Sequence, residues 1–456
     1  MYFRVIFVTK SMTEGKPLKL ILQFAVPLLF GNLLQQMYNL VDAAIVGRVL
    51  GTGALAAVGA TSSVQFLVLG FCIGICIGFG IPIAKSFGAE RLDKMRSYIF
   101  NSVLLTALFA VLITAVCSLC CTLILQMLSV PQDVFDDAYA YLIVIFLGIP
   151  FTLLYNLLSS ILRSVGDSRT PFLFLAISTV LNIGLDLLCI IVFKWGVAGA
   201  AIATIAAQAV SGILCLIYIR FRVPLLTLSR ADCKADAESI RDLVVMGIPM
   251  GLQTSITAIG SILLQTGING LGSHAVAAVS TGNKVTQVIC CPLDALGTTV
   301  ATYGGQNIGA KKLDRISKGM VSCLLFGTLY SIVAYFIIRY LGPTLLSLFI
   351  GPEETSVIEQ AQYFIVRWVT FCIPLMMVYV FRFMIQGLGF SKLAVFAGVF
   401  EMLARGLISL FWIPAAGFEA VCYASPVAWI AADAFLIPAY LSVMKKLRRD
   451  LSVTAG

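Results

Sequence analysis

The feature that most constrains this chain is its long apolar runs: Val103 to Ile124 and Phe172 to Val192 pass almost without interruption. A membrane helix needs roughly 20 predominantly apolar residues to cross about 30 Å of hydrocarbon. A transmembrane barrel alternates polar and apolar residues and leaves no such runs. Of the 456 residues 60% are apolar and only 12% charged, against roughly 45–50% and 25% in soluble domains. An ordinary soluble enzyme is therefore excluded, and the chain reads as an all-α membrane protein.

Apolar runs set against charged or Gly/Pro breaks predict twelve transmembrane helices, at 20–47, 54–83, 98–126, 135–162, 171–193, 197–219, 241–268, 275–303, 318–341, 357–386, 394–413 and 420–443. The basic residues fix their direction. Twenty-four of the 31 Lys and Arg fall in alternate segments, from Arg4 and Lys10 through Lys85, Arg163, Arg220, Lys311 and Lys392 to Lys445–Arg449, and the opposite loops hold only Arg48, Lys194 and Arg339. Short cytoplasmic loops carry the excess of Lys and Arg, so both termini are expected in the cytoplasm. The net charge of +9 is thus a topology signal, and without a basic solvated domain a nucleic-acid partner is not expected. Val5 to Val8 is too short for the apolar part of a signal peptide, so the N-terminus is expected to be retained. Cys117, Cys120 and Cys121 lie mid-helix with no His or carboxylate beside them and read as packing residues.

The chain repeats itself. Leu50 to Met95 aligned without a gap to Leu271 to Ile316 gives 11 identities in 46 positions, and Pro27 and Pro150 find counterparts in Pro249 and Pro374. Two parallel six-helix repeats, or lobes, around a central cleft follow, with 1–219 as the first lobe, 220–242 as a cytoplasmic linker and 243–456 as the second lobe. In transporters built this way the substrate site lies near the midplane between the repeats.

An ionisable group at the bilayer centre costs about 2.5–3.5 kcal/mol on insertion scales, so each one needs a reason. The first half has two, Asp42 and Asp186. Asn32, Gln35, Tyr38 and Asn39 lead to Asp42 at helical spacing, and Asn182 stands one turn before Asp186. The sixth helix adds Thr204, Gln208 and Ser211, the fourth Asn156, Ser159 and Ser160. No Lys or Arg is placed at mid-depth in these helices. Two carboxylates without a counter-charge must share a proton or hold a cation, because desolvation and mutual repulsion oppose two bare charges. The oxygens of Asp42, Asn182, Asp186 and Thr204 suit a hard cation such as sodium. The blander reading is two separately protonated structural aspartates.

The second half can compensate its charges, since Lys284, Arg367, Arg382 and Arg405 accompany Asp294, Glu401 and Asp433. Glu401 and Arg405 are four apart in the order that favours a helical ion pair, which reads as structural or as part of a gate. Polar rows containing Gln253 on the seventh helix and Gln287 and Asp294 on the eighth are expected to line the cleft, with Asp294 as a contact for a cationic substrate. Pro27, on the helix that carries Asp42, reads as a hinge whose bend responds to neutralisation of that carboxylate.

Three segments resemble the multidrug and toxic compound extrusion (MATE) family, and within it the DinF-like bacterial branch: Tyr38-Asn39-Leu40-Val41-Asp42 with Val46-Gly47-Arg48, Leu181-Asn182-Ile183-Gly184-Leu185-Asp186, and Gly196-Val197-Ala198-Gly199-Ala200-Ala201 leading to Thr204. The resemblance covers essentially the whole chain. It implies export of organic, often cationic, compounds in exchange for Na+ or H+ by alternating access, in the bacterial cytoplasmic (inner) membrane. No enzyme activity is expected, and no cofactor beyond the coupling ion. The expected partners are a small-molecule substrate and the lipid bilayer, with the chain acting as a monomer. The resemblance also implies that Asp42, Asn182, Asp186 and Thr204 form a first-lobe cation site, with Tyr38 and Asn156 near the substrate; Gln35, Asn39, Gln208, Gln253, Gln287 and Asp294 complete the expected substrate wall. Thr257 and Leu375 stand where another branch carries its second-lobe acids, so no cation site is expected there.

One alternative comes from the same superfamily and two from other classes. A flippase for lipid-linked sugars tends to have further helices and a cationic cavity, whereas the uncompensated charge here is negative. An intramembrane aspartyl protease needs Tyr-Asp and Gly-x-Gly-Asp, whereas Val41 precedes Asp42 and Gly184-Leu185 precedes Asp186. A passive channel is disfavoured by the two-lobe repeat.

Overall fold

The structure, a computed structural model, describes residues 11–128, 130–349 and 354–455. Arg4, Lys10 and the stretch Val5 to Val8, used above for charge counting and for the leader, lie outside the described residues. The described chain is helical throughout, without strands. In order come α1 (Pro17–Val49), α2 (Thr52–Gly88), α3 (Leu92–Leu119), α4 (Cys121–Met127), α5 (Phe135–Leu147), α6 (Ile149–Ser164), α7 (Arg169–Leu187) and α8 (Gly196–Arg222). They are followed by α9 (Ala237–Asn269), α10 (Ser273–Gly309), α11 (Leu313–Ser347), α12 (Thr355–Thr370), α13 (Cys372–Gly387), α14 (Ser391–Leu407), α15 (Ile413–Ala416) and α16 (Phe418–Ala455).

These sixteen pieces make the twelve expected spans, five of which are not the unbroken helices that the apolar runs predict; the third is interrupted at Cys120, between α3 and α4. The fourth span bends by 45° between α5 and α6, and the tenth by 50° between α12 and α13. The cause is local: Pro150 and Pro374 stand in the first turn of α6 and of α13, where a missing N–H costs nothing to the new helix but cannot continue the old one. The fifth and eleventh spans each end in one π turn, Leu188–Val192 after α7 and Ile408–Trp412 after α14. Pro27 and Pro249, by contrast, sit inside the continuous helices α1 and α9. Length and apolarity alone select nine helices and the two bent pairs among the described residues; α10, which carries Lys284 and Asp294, completes the twelve.

Backbone geometry reproduces the repeat. Left-handed residues recur in pairs: Gly51 and Gly272 (φ 91° and 95°), Glu90 and Lys311 (57° and 59°), Gly166 and Gly389 (90° and 96°), and Gly196 and Gly417 (60° and 61°). A residue with a Cβ seldom adopts this conformation, so the recurrence of Glu90 and Lys311 after α2 and α10 marks the same turn built twice.

By contact the chain forms two compact units, one made chiefly of Val26–Gly251 and the other of Met12–Ala25 with Leu252–Gly456. The division differs from the sequence boundaries at 219 and 242, and packing explains why. In the first unit the opening turns of α9 lie directly on α2: a Cβ at Gly74 would stand 2.7 Å from Met250 O, and one at Gly78 would stand 2.6 Å from Gly247 Cα. Two Gly-x-x-x-Gly pairs thus let backbone meet backbone, and the linker ahead is tied to α3, where Asn101 Nδ2 donates to Lys234 O (3.2 Å), Lys94 Nζ to Glu238 (2.7 Å) and Tyr98 OH to Asp242 (2.5 Å).

In the second unit the residues ahead of α1 are held by α10 and α11. Met12 N–H donates to Gln306 Oε1 (2.8 Å), Asn307 Nδ2 to Met12 O (3.2 Å), Lys312 Nζ to Thr13 O (3.1 Å) and Arg315 Nη1 to Gly15 O (2.9 Å). The outward faces stay apolar, with Val111, Leu119, Phe221, Leu325 and Leu410 exposed, as hydrocarbon rather than water requires.

Candidate functional site

In the first unit the acids lie on α1 and α7. Asp42 stands one turn beyond Tyr38 on α1, and Asp186 one turn beyond Asn182 on α7, immediately before the π turn. Asp186 and Asn182 are fully buried and Asp42 is 9% exposed. The two carboxyls are hydrogen-bonded to each other. With its amide oriented to satisfy both neighbours, Asn182 donates to Asp186 Oδ2 at 3.1 Å and accepts from Thr204 N–H at 3.2 Å. Thr204 Oγ1 is in turn hydrogen-bonded to Tyr38 OH at 2.8 Å. Asp42, Asn182, Asp186, Thr204 and Tyr38, drawn from three helices, therefore form one polar cluster.

The cluster is incomplete. Asp42 Oδ1 and Asp186 Oδ1 are buried without a hydrogen-bond partner, and among the described residues no Lys or Arg forms a salt bridge with either acid. A buried polar atom left unpaired costs about 1–3 kcal/mol, more for a charged group. Two such oxygens beside neutral amide and hydroxyl oxygens can take up a proton or a monovalent cation. The sequence reading missed two members of the surroundings: Tyr141 on α5 lies within electrostatic reach of both acids and is hydrogen-bonded to Gln65 on α2. Neither follows the spacing of the acidic stripe, and no signal within one helix could have joined them to it.

The remaining first-unit residues lie apart. Gln35 and Asn39 are exposed on α1, on an edge whose centre is turned about 60° from that of Tyr38 and Asp42. Asn156 donates back to Thr152 O at 2.8 Å, and Thr152 is hydrogen-bonded to Gln208, so these two belong to a separate α6–α8 network.

The second unit is built otherwise. Glu401 on α14, 3% exposed, is paired with Arg405 at 3.4 Å on its own helix and with Arg382 from α13. Spacing along α14 shows only the first of these pairs. Asp433 on α16 lies within electrostatic reach of Arg382 and Glu401. Gln253 and Gln386 are hydrogen-bonded, Tyr379 OH donates to Asp294, and Gln287 is exposed on α10.

Comparison with known proteins agrees with this architecture. The MatE family profile matches residues 27–188 and again 249–410, one match in each half. The probable multidrug resistance protein YpnP of Bacillus subtilis is 30% identical over 402 residues, 88% of this chain and 87% of the relative. YoeA of the same organism, also named a probable multidrug resistance protein, is 31% identical over 352 residues, 76% of each. A protein of Shewanella oneidensis named an FAD transporter is 23% identical over 76% of this chain and 77% of its own. Among solved structures, an outward-facing multidrug resistance MATE family transporter superposes with a TM-score of 0.89 over 98% of this chain and 100% of its own, at 20% identity. A MATE protein in a bent conformation gives 0.88 over 100% of both. With the repeat, the twelve spans and two family matches in agreement, this chain is a member of the MATE family of multi-pass membrane transporters and not an enzyme.

Proposed function

We propose that the chain is a secondary active exporter of organic compounds, driven by inward flow of Na+ or H+ through Asp42 and Asp186 in an alternating-access cycle. The observation that carries this reading is the pair of buried carboxyls that meet each other, face Asn182, Thr204 and Tyr38, and have no base. An ion that completes the unpartnered oxygens stabilises the cluster, and its loss restores two competing acids; that difference is what couples ion occupancy to conformation. The names of the Bacillus relatives support multidrug substrates. The coupling ion travels as cargo, so no resident cofactor is required. Tyr38 and Asp294 are the proposed contacts for a cationic substrate, Pro27 the point at which α1 bends, and Glu401 with Arg405 a structural brace. A single chain in the bacterial inner membrane, with both termini cytoplasmic, is the proposed working unit.

The test is dye transport in proteoliposomes with Na+ and pH gradients imposed separately. Either gradient alone should drive accumulation, and Asp42→Asn should abolish it. Equal dye movement with and without gradients, across a broad panel of organic cations, would overturn the reading.

A further inference from the structure

Beside Asp42 and Asp186 the unpartnered buried atoms are carboxylate oxygens, whereas around Glu401 they include two guanidinium nitrogens. Arg382 gives one terminal nitrogen to Glu401 and leaves Nε unpartnered, and Arg405 gives Nη2 to Glu401 and leaves Nη1 unpartnered. The two residues are 8% and 7% exposed, so both donors are withdrawn from water while an edge of each side chain stays reachable. Glu401 does not supply what is missing: Oε1 accepts from Arg382 Nη2 and Oε2 from Arg405 Nη2, and neither Arg382 Nε nor Arg405 Nη1 reaches a partner. Asp433 does not supply it either: it is near Arg382, but its own Oδ1 is unpartnered. Gly260 on α9 backs the site, where a Cβ would stand 3.7 Å from Arg405 Cδ. One turn from Arg382 on α13, the Gln386 amide bonded to Gln253 adds a polar neighbour.

We propose that Arg382 and Arg405 form a receptor for an oxyanion, the carboxylate or phosphate group of a transported solute, bound through Arg382 Nε and Arg405 Nη1. A guanidinium keeps its charge when buried, and its planar fork matches the spacing of oxyanion oxygens. This goes beyond the export reading, which rests on the acids of the first unit, and it extends the substrate class from organic cations to solutes that also carry a negative group. Asp433 opposes the bound anion, since with Asp433 ionised the cluster already balances two positive charges with two negative ones.

The test uses the full-length protein in detergent micelles and two dyes with the same cationic body, a rhodamine with a free carboxylate and its ethyl ester, followed by fluorescence polarisation. The wild type should bind the acid about tenfold more tightly than the ester, the increment expected of a charge-assisted hydrogen bond. Arg382→Gln and Arg405→Gln should bring the acid-to-ester ratio to about one, the ratio being taken on the folded protein that each variant retains through size-exclusion chromatography, so that a loss of stability does not enter it. Asp433→Asn, which removes the opposing charge, should tighten the acid several-fold, and Asp42→Asn should leave the acid-to-ester ratio alone. A wild-type ratio near one, or a ratio that survives both Gln variants, overturns the proposal. Competition by acetate and inorganic phosphate supports a solute anion, whereas competition by phosphatidylglycerol alone assigns the place to a lipid headgroup and overturns it. Failure of dye transport with the ratio intact would sink the export reading and leave this one standing.

Discussion

In the first unit Asp42 and Asp186 meet each other among neutral groups; in the second, Glu401 lies between Arg382 and Arg405 with Asp433 close by. Both clusters place charge inside a bilayer, where it is costly, but only the second pairs acid with base. The difference teaches that burial alone does not distinguish the proposed coupling site from a brace. An acid without a base leaves an oxygen open to an ion, whereas an acid between two bases has its charge answered within the fold. Mutation should therefore separate the two clusters by the kind of loss it produces.

The largest expected effect is on transport in the first unit. Asp42→Asn should remove gradient-driven dye efflux from proteoliposomes while leaving the melting temperature of the purified protein equal to or above that of the wild type, because an uncompensated buried acid is being neutralised. Persistent efflux would erase the contrast. In the second unit the loss should appear as stability: Glu401→Gln leaves two guanidinium groups without their carboxylate, a change that costs about 3–5 kcal/mol when one partner of a buried pair is removed. An unchanged denaturation midpoint in detergent would show that the brace bears no weight.

A smaller effect sharpens the comparison inside the first cluster. Thr204→Ala removes the hydroxyl that joins Tyr38 to the site and should weaken coupling-ion affinity by about threefold to tenfold, the worth of one neutral hydrogen bond; Thr204→Ser should restore it in the same titration.

The smallest effect separates the segments that precede α1 and α9. Ahead of α9, the hydrogen bond from the Ser239 hydroxyl is the main cause that holds the Asp236 carboxyl down to about 2; desolvation opposes it and Lys94 reinforces it. A depressed carboxyl contributes stability that is complete above its unfolded value near 4 and lost as pH falls toward 2. The protection factors for amide hydrogen exchange at the start of α9, taken against the intrinsic rate at each pH, should therefore fall across that interval. The segment ahead of α1 is held by Gln306, Asn307, Lys312 and Arg315, with no carboxylate among these four, and should not respond.

Much of this was legible in the sequence because it rests on periodicity and composition. Apolar runs located the twelve spans, and the missing counter-charge drew attention to Asp42 and Asp186. What escaped has a common physical origin in tertiary packing. Arg382 reaches Glu401 from another helix, so the spacing between Glu401 and Arg405 showed half of a three-membered pairing. The π turns at Leu188–Val192 and Ile408–Trp412 have no residue signature of their own, whereas the bends at Gly148–Pro150 and Phe371–Pro374 were foreshadowed by proline.

The composition of the two units carries a consequence for biosynthesis. A translocon releases the spans in chain order, yet the first unit includes Ala237–Gly251 and the second includes Met12–Ala25. The first six spans alone lack the helix turns whose glycines meet Gly74 and Gly78, and Met12 and Thr13 wait for Gln306 and Lys312, nearly 300 residues later in the chain. The first unit cannot be completed while the ribosome is still in its own half, so the nascent chain must hold partly assembled spans in the lipid until the second half arrives.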